Sequence, residues 1–381
     1  MSSFLLNPYI YSVGGITRIF YESPYTASRS TTTSTAPINV SRISGVNSGF
    51  RGLAVFYQGT TDINATNNDV RLNLISGSTT VIGLNMEPQD TTDRFSMGGG
   101  YFDLSETNTT FSSSFSPEAS SLTAGYAGYS LVALQLTASD SGSHSAGTTA
   151  YRNTAYATKT SVPVPAGTYI IIGSAVVNPV DAGVVGRVRM FDGTTTYGEM
   201  FDVYEQDISN WSPYWHVFRR TIAGTTTFSL QARSDGNNDI EVRQASVIAL
   251  NTAQFSNVYY QEKTGSFSTT STTYTTAMTA SFTIANPSNK HLLLAAAMLS
   301  GSSNASSFAC KLRNTTTLTD YAPEHLREPN STAEKYPTVV CRIVTFSGAS
   351  NSIDWEFKVE TAGSRAHIKD MTVAVLDLGT T

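Results

Sequence analysis

His291-Leu-Leu-Leu-Ala-Ala-Ala-Met-Leu299 decides the fold. The apolar run at 292–299 is the longest in the chain. It has the length of a buried strand and falls far short of the roughly 18 or more residues that a membrane-spanning helix needs. The same motif stands upstream as Tyr169-Ile-Ile-Ile-Gly-Ser-Ala-Val-Val177 and as Arg51-Gly-Leu-Ala-Val-Phe-Tyr57. A closing motif follows each: Tyr129-Ser-Leu-Val-Ala-Leu-Gln-Leu136, Ala245-Ser-Val-Ile-Ala-Leu250 and Met371-Thr-Val-Ala-Val-Leu-Asp-Leu378. Opening and closing motifs lie roughly 80 residues apart each time, a separation that suits one β-sandwich. The chain therefore reads as one sheet module written three times.

Between the motifs the pattern changes. Val70-Arg-Leu-Asn-Leu74, Gly186-Arg-Val-Arg-Met-Phe191 and Ala309-Cys-Lys-Leu-Arg313 alternate apolar and polar residues, as strands with one buried and one wet face do. Asp192-Gly193 is a hairpin signal. The Ser- and Gly-rich stretch at 137–147 has linker composition. The expected architecture is all-β: three tandem antiparallel β-sandwich, jelly-roll-like modules at 1–137, 138–252 and 253–381, with an extended N-terminal arm. Helix is invited only by Pro323-Glu-His-Leu-Arg-Glu328 and by 332–335, both inside an expected long loop at 319–337.

Composition narrows the function. Charged residues make up 14% of the 381, well below the usual quarter of a soluble chain, and Ser, Thr, Asn and Gly fill the gap. Such a neutral polar surface suits packing in a larger assembly. The 24 Lys plus Arg against 29 Asp plus Glu leave no basic footprint for nucleic acid. No stretch reads as a membrane span, and the opening Met1-Ser-Ser-Phe4 carries no basic region of the kind that starts a secretory signal.

No reactive constellation emerges. There is no nucleophile elbow, phosphate loop or dinucleotide fingerprint. The histidines, His144, His216, His291, His325 and His367, are far apart and lack ligand spacing, so neither metal nor other cofactor is expected. Asp235-Gly-Asn-Asn-Asp239 reads as a polar turn, with a calcium loop as the alternative. Asp202, Glu205 and Asp207, or Glu324 and Glu328, would be the carboxylates of a glycosidase, but any chain with this many acids offers such pairs. No catalytic residue is expected. Cys310 and Cys341 read as buried thiols, with a disulfide between neighbouring strands left open.

Two segments carry candidate binding residues. Phe4, Leu5, Leu6, Pro8, Tyr9 and Tyr11 form an apolar arm with aromatic and aliphatic anchors, suited to docking on a partner or on the first module. Trp211, Tyr214 and Trp215 crowd one turn, where Trp215 is expected in the core and Trp211 over a sandwich edge or a subunit contact, with flat rings offered to a glycan as the alternative.

The opening Phe4-Leu-Leu-Asn-Pro-Tyr9 resembles the starts of many virion proteins of tailed bacteriophages and cyanophages. The remainder is similar in style to phage jelly-roll and sandwich proteins: neutral, Ser/Thr-rich and tandem. The resemblance implies a non-enzymatic virion structural protein on the particle exterior, made in the host cytoplasm and forming a homo-oligomer, expected as a trimer. Its first form is a capsid decoration or cement protein bound to the major capsid protein and bridging capsomers. Its second is a tail fibre or other tail-associated receptor-binding appendage that contacts tail proteins and host glycans. The chain has neither heptads nor the short repeats of a fibre shaft, which favours the first.

Overall fold

The apolar alternation of the sequence becomes sheet geometry in a computed structural model, which describes residues 11–13, 17–25, 29–31, 34–39, 52–64, 68–88, 93–103, 110–119, 122–180, 184–203, 210–236, 239–303, 306–329, 331–332 and 334–379. The first module holds β1 (Tyr11–Val13), β2 (Thr17–Tyr25), β3 (Arg29–Thr31), β4 (Ser34–Asn39), β5 (Gly52–Ile63), β6 (Val70–Ser76), β7 (Thr79–Met86), β8 (Phe95–Asp103), β9 (Thr110–Pro117) and β10 (Ala124–Leu136). The second holds β11 (Ser141–Ser145), β12 (Thr149–Tyr151), β13 (Ala157–Val164), β14 (Gly167–Pro179), β15 (Val185–Phe191), β16 (Thr196–Val203), β17 (Ser212–Ile222), β18 (Thr226–Ser234) and β19 (Ile240–Asn251). The third holds β20 (Val258–Lys263), β21 (Phe267–Thr269), β22 (Thr275–Thr283), β23 (His291–Gly301), β24 (Phe308–Asn314), β25 (Thr319–Arg327), β26 (Tyr336–Val344), β27 (Ser350–Val359) and β28 (Ala366–Asp377).

Each module has the same strand order. One sheet runs β2-β10-β5-β8, β11-β19-β14-β17 and β20-β28-β23-β26; the other runs β4-β9-β6-β7, β13-β18-β15-β16 and β22-β27-β24-β25. Counted within a module, the first sheet joins strands one, eight, three and six, and the second joins two, seven, four and five. That is the double Greek key of a jelly roll, repeated three times. The opening motif of the sequence is strand three and the closing motif is strand eight. The two pair antiparallel in every module, as in Phe56↔Val132, Ile172↔Ile248 and Leu294↔Ala374.

Burial explains why those motifs are apolar throughout. On β23, Leu293, Ala295, Ala297 and Leu299 face the core of module three, whereas Leu292, Leu294 and Ala296 face a different cluster. On β14, Ile171 faces its own core and Ile170 and Ile172 the other cluster; on β5, Val55 and Phe56 divide the same way. The other cluster is shared. It joins Phe56, Val132 and Leu134 to Ile172, Trp215 and Ile248 and to Leu294, Cys341 and Ala374. Three jelly rolls thus turn one sheet each toward a common apolar centre. Strands buried on both faces lose the polar alternation, as in sheets covered on two sides. The opposite sheets keep it: β6 and β15 alternate along their whole length.

Strand eight carries a bulge at the same place in each module, with the register slipping at 127–130, 243–246 and 369–372. The residues that absorb it have left-handed backbone: Gly128 (φ 60°), Gln244 (φ 51°) and Asp370 (φ 50°). The extra residue re-aims its neighbours out of the sheet, which matters at the junctions described below.

Three expectations are corrected. Pro323-Glu-His-Leu-Arg-Glu328 is no helical turn: residues 323–327 belong to β25, and the expected loop at 319–337 is largely strand. Pro323 is accommodated because β25 lies at a sheet edge, where a missing N–H costs no ladder bond. Cys310 and Cys341 sit in β24 and β26 of opposite sheets and are free buried thiols, so the open alternative of a disulfide is closed. The polar run at 137–147 holds β11, which pairs with β19, so it is more than a linker.

Candidate functional site at the module junctions

Each module hands one backbone bridge to the next. The end of strand five pairs with the residue just before strand six of the following module: Asn85↔Trp211, Phe201↔Lys335 and Arg94↔Leu326. Both hydrogen bonds form at every bridge. Asn85 N–H donates to Trp211 O at 3.2 Å and Trp211 N–H to Asn85 O at 2.7 Å. Phe201 and Lys335 exchange bonds of 3.2 and 2.8 Å, and Arg94 and Leu326 bonds of 2.7 and 3.0 Å. Module one therefore grips two, two grips three, and three grips one. A head-to-tail contact that closes is a ring, and here the ring closes within one chain.

Side chains reinforce it. The Arg243 guanidinium lies over the Trp211 ring at 3.6 Å and Lys335 Nζ over Phe201 at 3.8 Å. Trp215 touches all three modules. It lies on β17, meets Phe56 of module one edge-on at 6.3 Å, and donates from Nε1 to Ala295 O of module three at 2.9 Å. Val339 N–H donates to Ser96 Oγ at 2.9 Å, and Cys341 N–H donates to Gln58 Oε1.

Arg327, the residue after the third bridge, is fully buried. Its Nη2 donates to Tyr336 Oη at 2.6 Å, and its guanidinium stacks over the Tyr336 ring at 3.7 Å. Burial alone would push its pKa down, yet Tyr336 with the carboxylates of Glu334, Asp202 and Asp93 raises it overall, so the charge is held. Those acids come from all three modules and are themselves buried. Glu328 N–H also donates to Asp93 Oδ1 at 2.9 Å.

This arrangement binds the modules together. Burial pushes the Cys310 thiol up to about 12 and the Cys341 thiol up as well, which keeps both unreactive. No group of three or more His, Cys, Asp or Glu among the described residues could hold a metal ion. Asp235 pairs with Arg187 at 2.6 Å and Asp239 with Arg152, so the acids flanking the polar turn are neutralised by arginine. Asp202 is buried; Glu205 and Asp207 lie outside the described residues.

The aromatic turn is used inside the chain. Tyr214 and Trp215 are fully buried, and neither offers a face to a glycan. Trp211 packs half-buried against the core of module one under Arg243. The arm residues Phe4, Leu5, Leu6, Pro8 and Tyr9 lie outside the described residues. Tyr11 starts β1, which pairs with β2 and extends the sheet of module one by a strand. The ring of junctions was missed in the sequence. Its signal, a buried acid or amide one residue before each bridge (Asp93, Asn210 and Glu334), becomes visible only once the modules are aligned on structure.

Buried histidines make the assembly acid-sensitive. Burial lowers the pKa of His216 and of His325 to about 4, so both are neutral when folded. In the unfolded chain they take a proton below about 6.5. Their contribution is therefore present above that pH and is lost as pH falls toward 4, by up to about 3 kcal/mol for each group. Thermal melting at pH 4.5 should fall well below that at pH 7, and His325→Gln should flatten the difference. An unchanged slope in that variant would contradict the assignment.

The fold class is set by strand order: a triple jelly roll closed into a ring. No family model matches the chain, and no curated protein matches it either. Among solved structures, it aligns over 98% of its length, and 90% of the other chain, with a protein of an archaeal virus described as a triple jelly roll in a turret assembly, at 12% identity and a TM-score of 0.23. It aligns over 90%, and 77% of the other chain, with the protein of infectious bursal virus T=1 particles, at 11% identity and TM-score 0.23. The insecticidal delta-endotoxin Cry8Ea1 of Bacillus thuringiensis aligns over 93%, and 60% of that chain, at 10% identity and TM-score 0.24. Superposition is poor in all three, and the fold assignment rests on the chain's own strand order.

Proposed function

We propose that this chain is a non-enzymatic virion structural protein: a capsid decoration or cement protein that binds the outside of a phage head, contacts the major capsid protein and bridges capsomers. The observation that carries the reading is the closed ring of three jelly rolls around one apolar centre. It spends the chain's apolar surface and its buried charges on rigidity. Cementing requires a rigid body with complementary area and no bond chemistry. The neutral, hydroxyl-rich composition suits such contacts. The arm residues Phe4, Leu5, Leu6, Pro8, Tyr9 and Tyr11 are the proposed anchor, and Tyr11 opens β1 at the outer edge of the module-one sheet. The homotrimer is a separate part of the proposal, because the ring itself already closes within one chain; light scattering of the purified chain decides it.

A second reading, a tail-associated appendage that touches host glycans, is favoured by a cavity of about 210 Å³ where modules two and three meet, lined by Tyr197, His216, Glu262 and Lys369. The anchor is tested by adding purified chain back to particles that lack it. The full chain should co-sediment with them. Deletion of residues 2–12 should lower the bound fraction by about tenfold or more while leaving the melting temperature nearly unchanged. Equal binding by the deleted form would contradict the anchor.

A further inference from the structure

The three junctions share one plan, so each serves as a control for the others. At the first, the strand-eight bulge of module two closes on β7. Arg243 Nη2 donates to Gly83 O at 3.0 Å, and Gly83 N–H donates to Gln244 Oε1 at 3.0 Å. Gly83 stands two residues before the bridge residue Asn85. At the second junction the corresponding residues are Lys369 and Asp370 on the bulge of β28 and Glu199, two before Phe201. There the clamp is open. Lys369 Nζ pairs with its neighbour Asp370 Oδ2 at 3.1 Å, and a cavity of about 210 Å³ lies between the two modules.

The floor of the cavity is buried and its rim is open. His216 of β17 lines it at 3% exposure, and its Nδ1 has no hydrogen-bond partner. Gly198 lies against the imidazole in a left-handed conformation (φ 53°); a Cβ there would come within 2.2 Å of His216 Cγ. Only glycine fits both the conformation and the approach. Tyr197 forms an aromatic wall, stacked on Phe218 at 4.0 Å and 6°. Glu199 and Glu262 complete the lining with Lys369 and Asp370. Tyr156 Oη donates to Glu199, and Tyr260 Oη donates to Glu262, which fixes both carboxylates.

We propose that this crevice binds a single sugar ring, amino or uncharged, with an amino sugar preferred and anionic sugars excluded. A ring rich in hydroxyls needs closely spaced acceptors and donors, and carboxylates and an ammonium supply them. The wall of Tyr197 gives the ring a flat apolar surface. The volume lies below the roughly 300–1,000 Å³ of drug-sized pockets, which limits the occupant to one ring. Glu199 already faces Arg187 at 4.0 Å and Asp370 pairs with Lys369, which leaves Glu262 at the rim as the carboxylate that sets the charge preference. Burial keeps His216 neutral, near pKa 4, so it adds no positive charge to the lining. The inference concerns the chain itself and holds for a head or a tail location.

Saturation-transfer NMR and calorimetric titration of the full chain test it with glucosamine, glucose, glucuronic acid and ethanolamine. Glucosamine should bind in the millimolar range, glucose more weakly, and glucuronic acid and ethanolamine not measurably. Glu262→Gln, at an exposed rim position, should weaken glucosamine by about tenfold with an unchanged melting temperature. Absence of sugar binding at tens of millimolar would overturn the proposal. So would equal binding of glucuronic acid, equal binding of ethanolamine, which needs only an amine, or glucosamine binding indifferent to Glu262→Gln.

Discussion

Replacing Trp215 by alanine is expected to destabilise the whole chain by about 3–5 kcal/mol, the range for truncating a fully buried aromatic residue. The loss should not stay in module two. Trp215 packs in the shared cluster, meets Phe56 of module one and donates to Ala295 O of module three. Its removal opens a cavity where three sheets meet and leaves a buried carbonyl with one partner fewer. Trp355 supplies the comparison. It is equally buried, but it belongs to the core of module three and donates to Thr372 O of the same module at 3.2 Å. Hydrogen exchange followed module by module should show Trp215→Ala loosening strands β5, β14 and β23 together, and Trp355→Ala loosening chiefly β22–β28. If Trp215→Ala left β5 and β23 as protected as before, the shared core would not couple the modules.

The second large effect is expected at Arg327. Substitution by methionine keeps the length of the side chain and removes the charge, leaving Asp93, Asp202 and Glu334 buried around an uncharged group. Breaking a buried ion network from one side costs about 3–5 kcal/mol, because the remaining charges lose their compensation. The acids come from all three modules, so the ring should weaken as a unit. Arg94 is the control. It pairs with Glu324 at 3.2 Å with its side chain half exposed, and Arg94→Met should cost no more than about 1 kcal/mol. Urea melts of the two variants measure the difference directly. Equal midpoints would mean that Arg327 carries no particular share of the ring.

The reading of the sequence succeeded where burial writes itself into composition. Ile170, Ile171 and Ile172 are all apolar because each face of β14 meets a core, so strands three and eight could be found three times over. Alternation at Arg187 and Arg189 marked β15 as a strand with a wet face. What covers the second face of β14 was not legible. A run of isoleucines is the same whether the far side meets a helix, a partner or a sister module, and the pairing is set by contacts hundreds of residues apart, such as Cys341 with Gln58. Residues 323–327 misled for a local reason. Glu324, His325, Leu326 and Arg327 tolerate helix, and only the edge position of β25 and the bridge at Leu326 fix them as strand. The Trp211–Trp215 turn announced packing without naming its partner, because aromatic crowding is the same whether the rings meet a sugar, another chain or the next module. The crevice was invisible for a related reason: Gln244 and Asp370 take left-handed backbone that sequence assigns to glycine, so the bulges left no mark.

Immunogold electron microscopy of intact particles, with antibody raised against the purified chain, tests the central claim most directly. Label spread over the head is the expected result and would send attention to residues 2–10 and their seat on the capsid protein. Label confined to the tail would replace the cement reading with the appendage and make the Tyr197–His216 crevice the first candidate for host contact. Particles that carry no label at all would contradict the assignment of this chain to the virion.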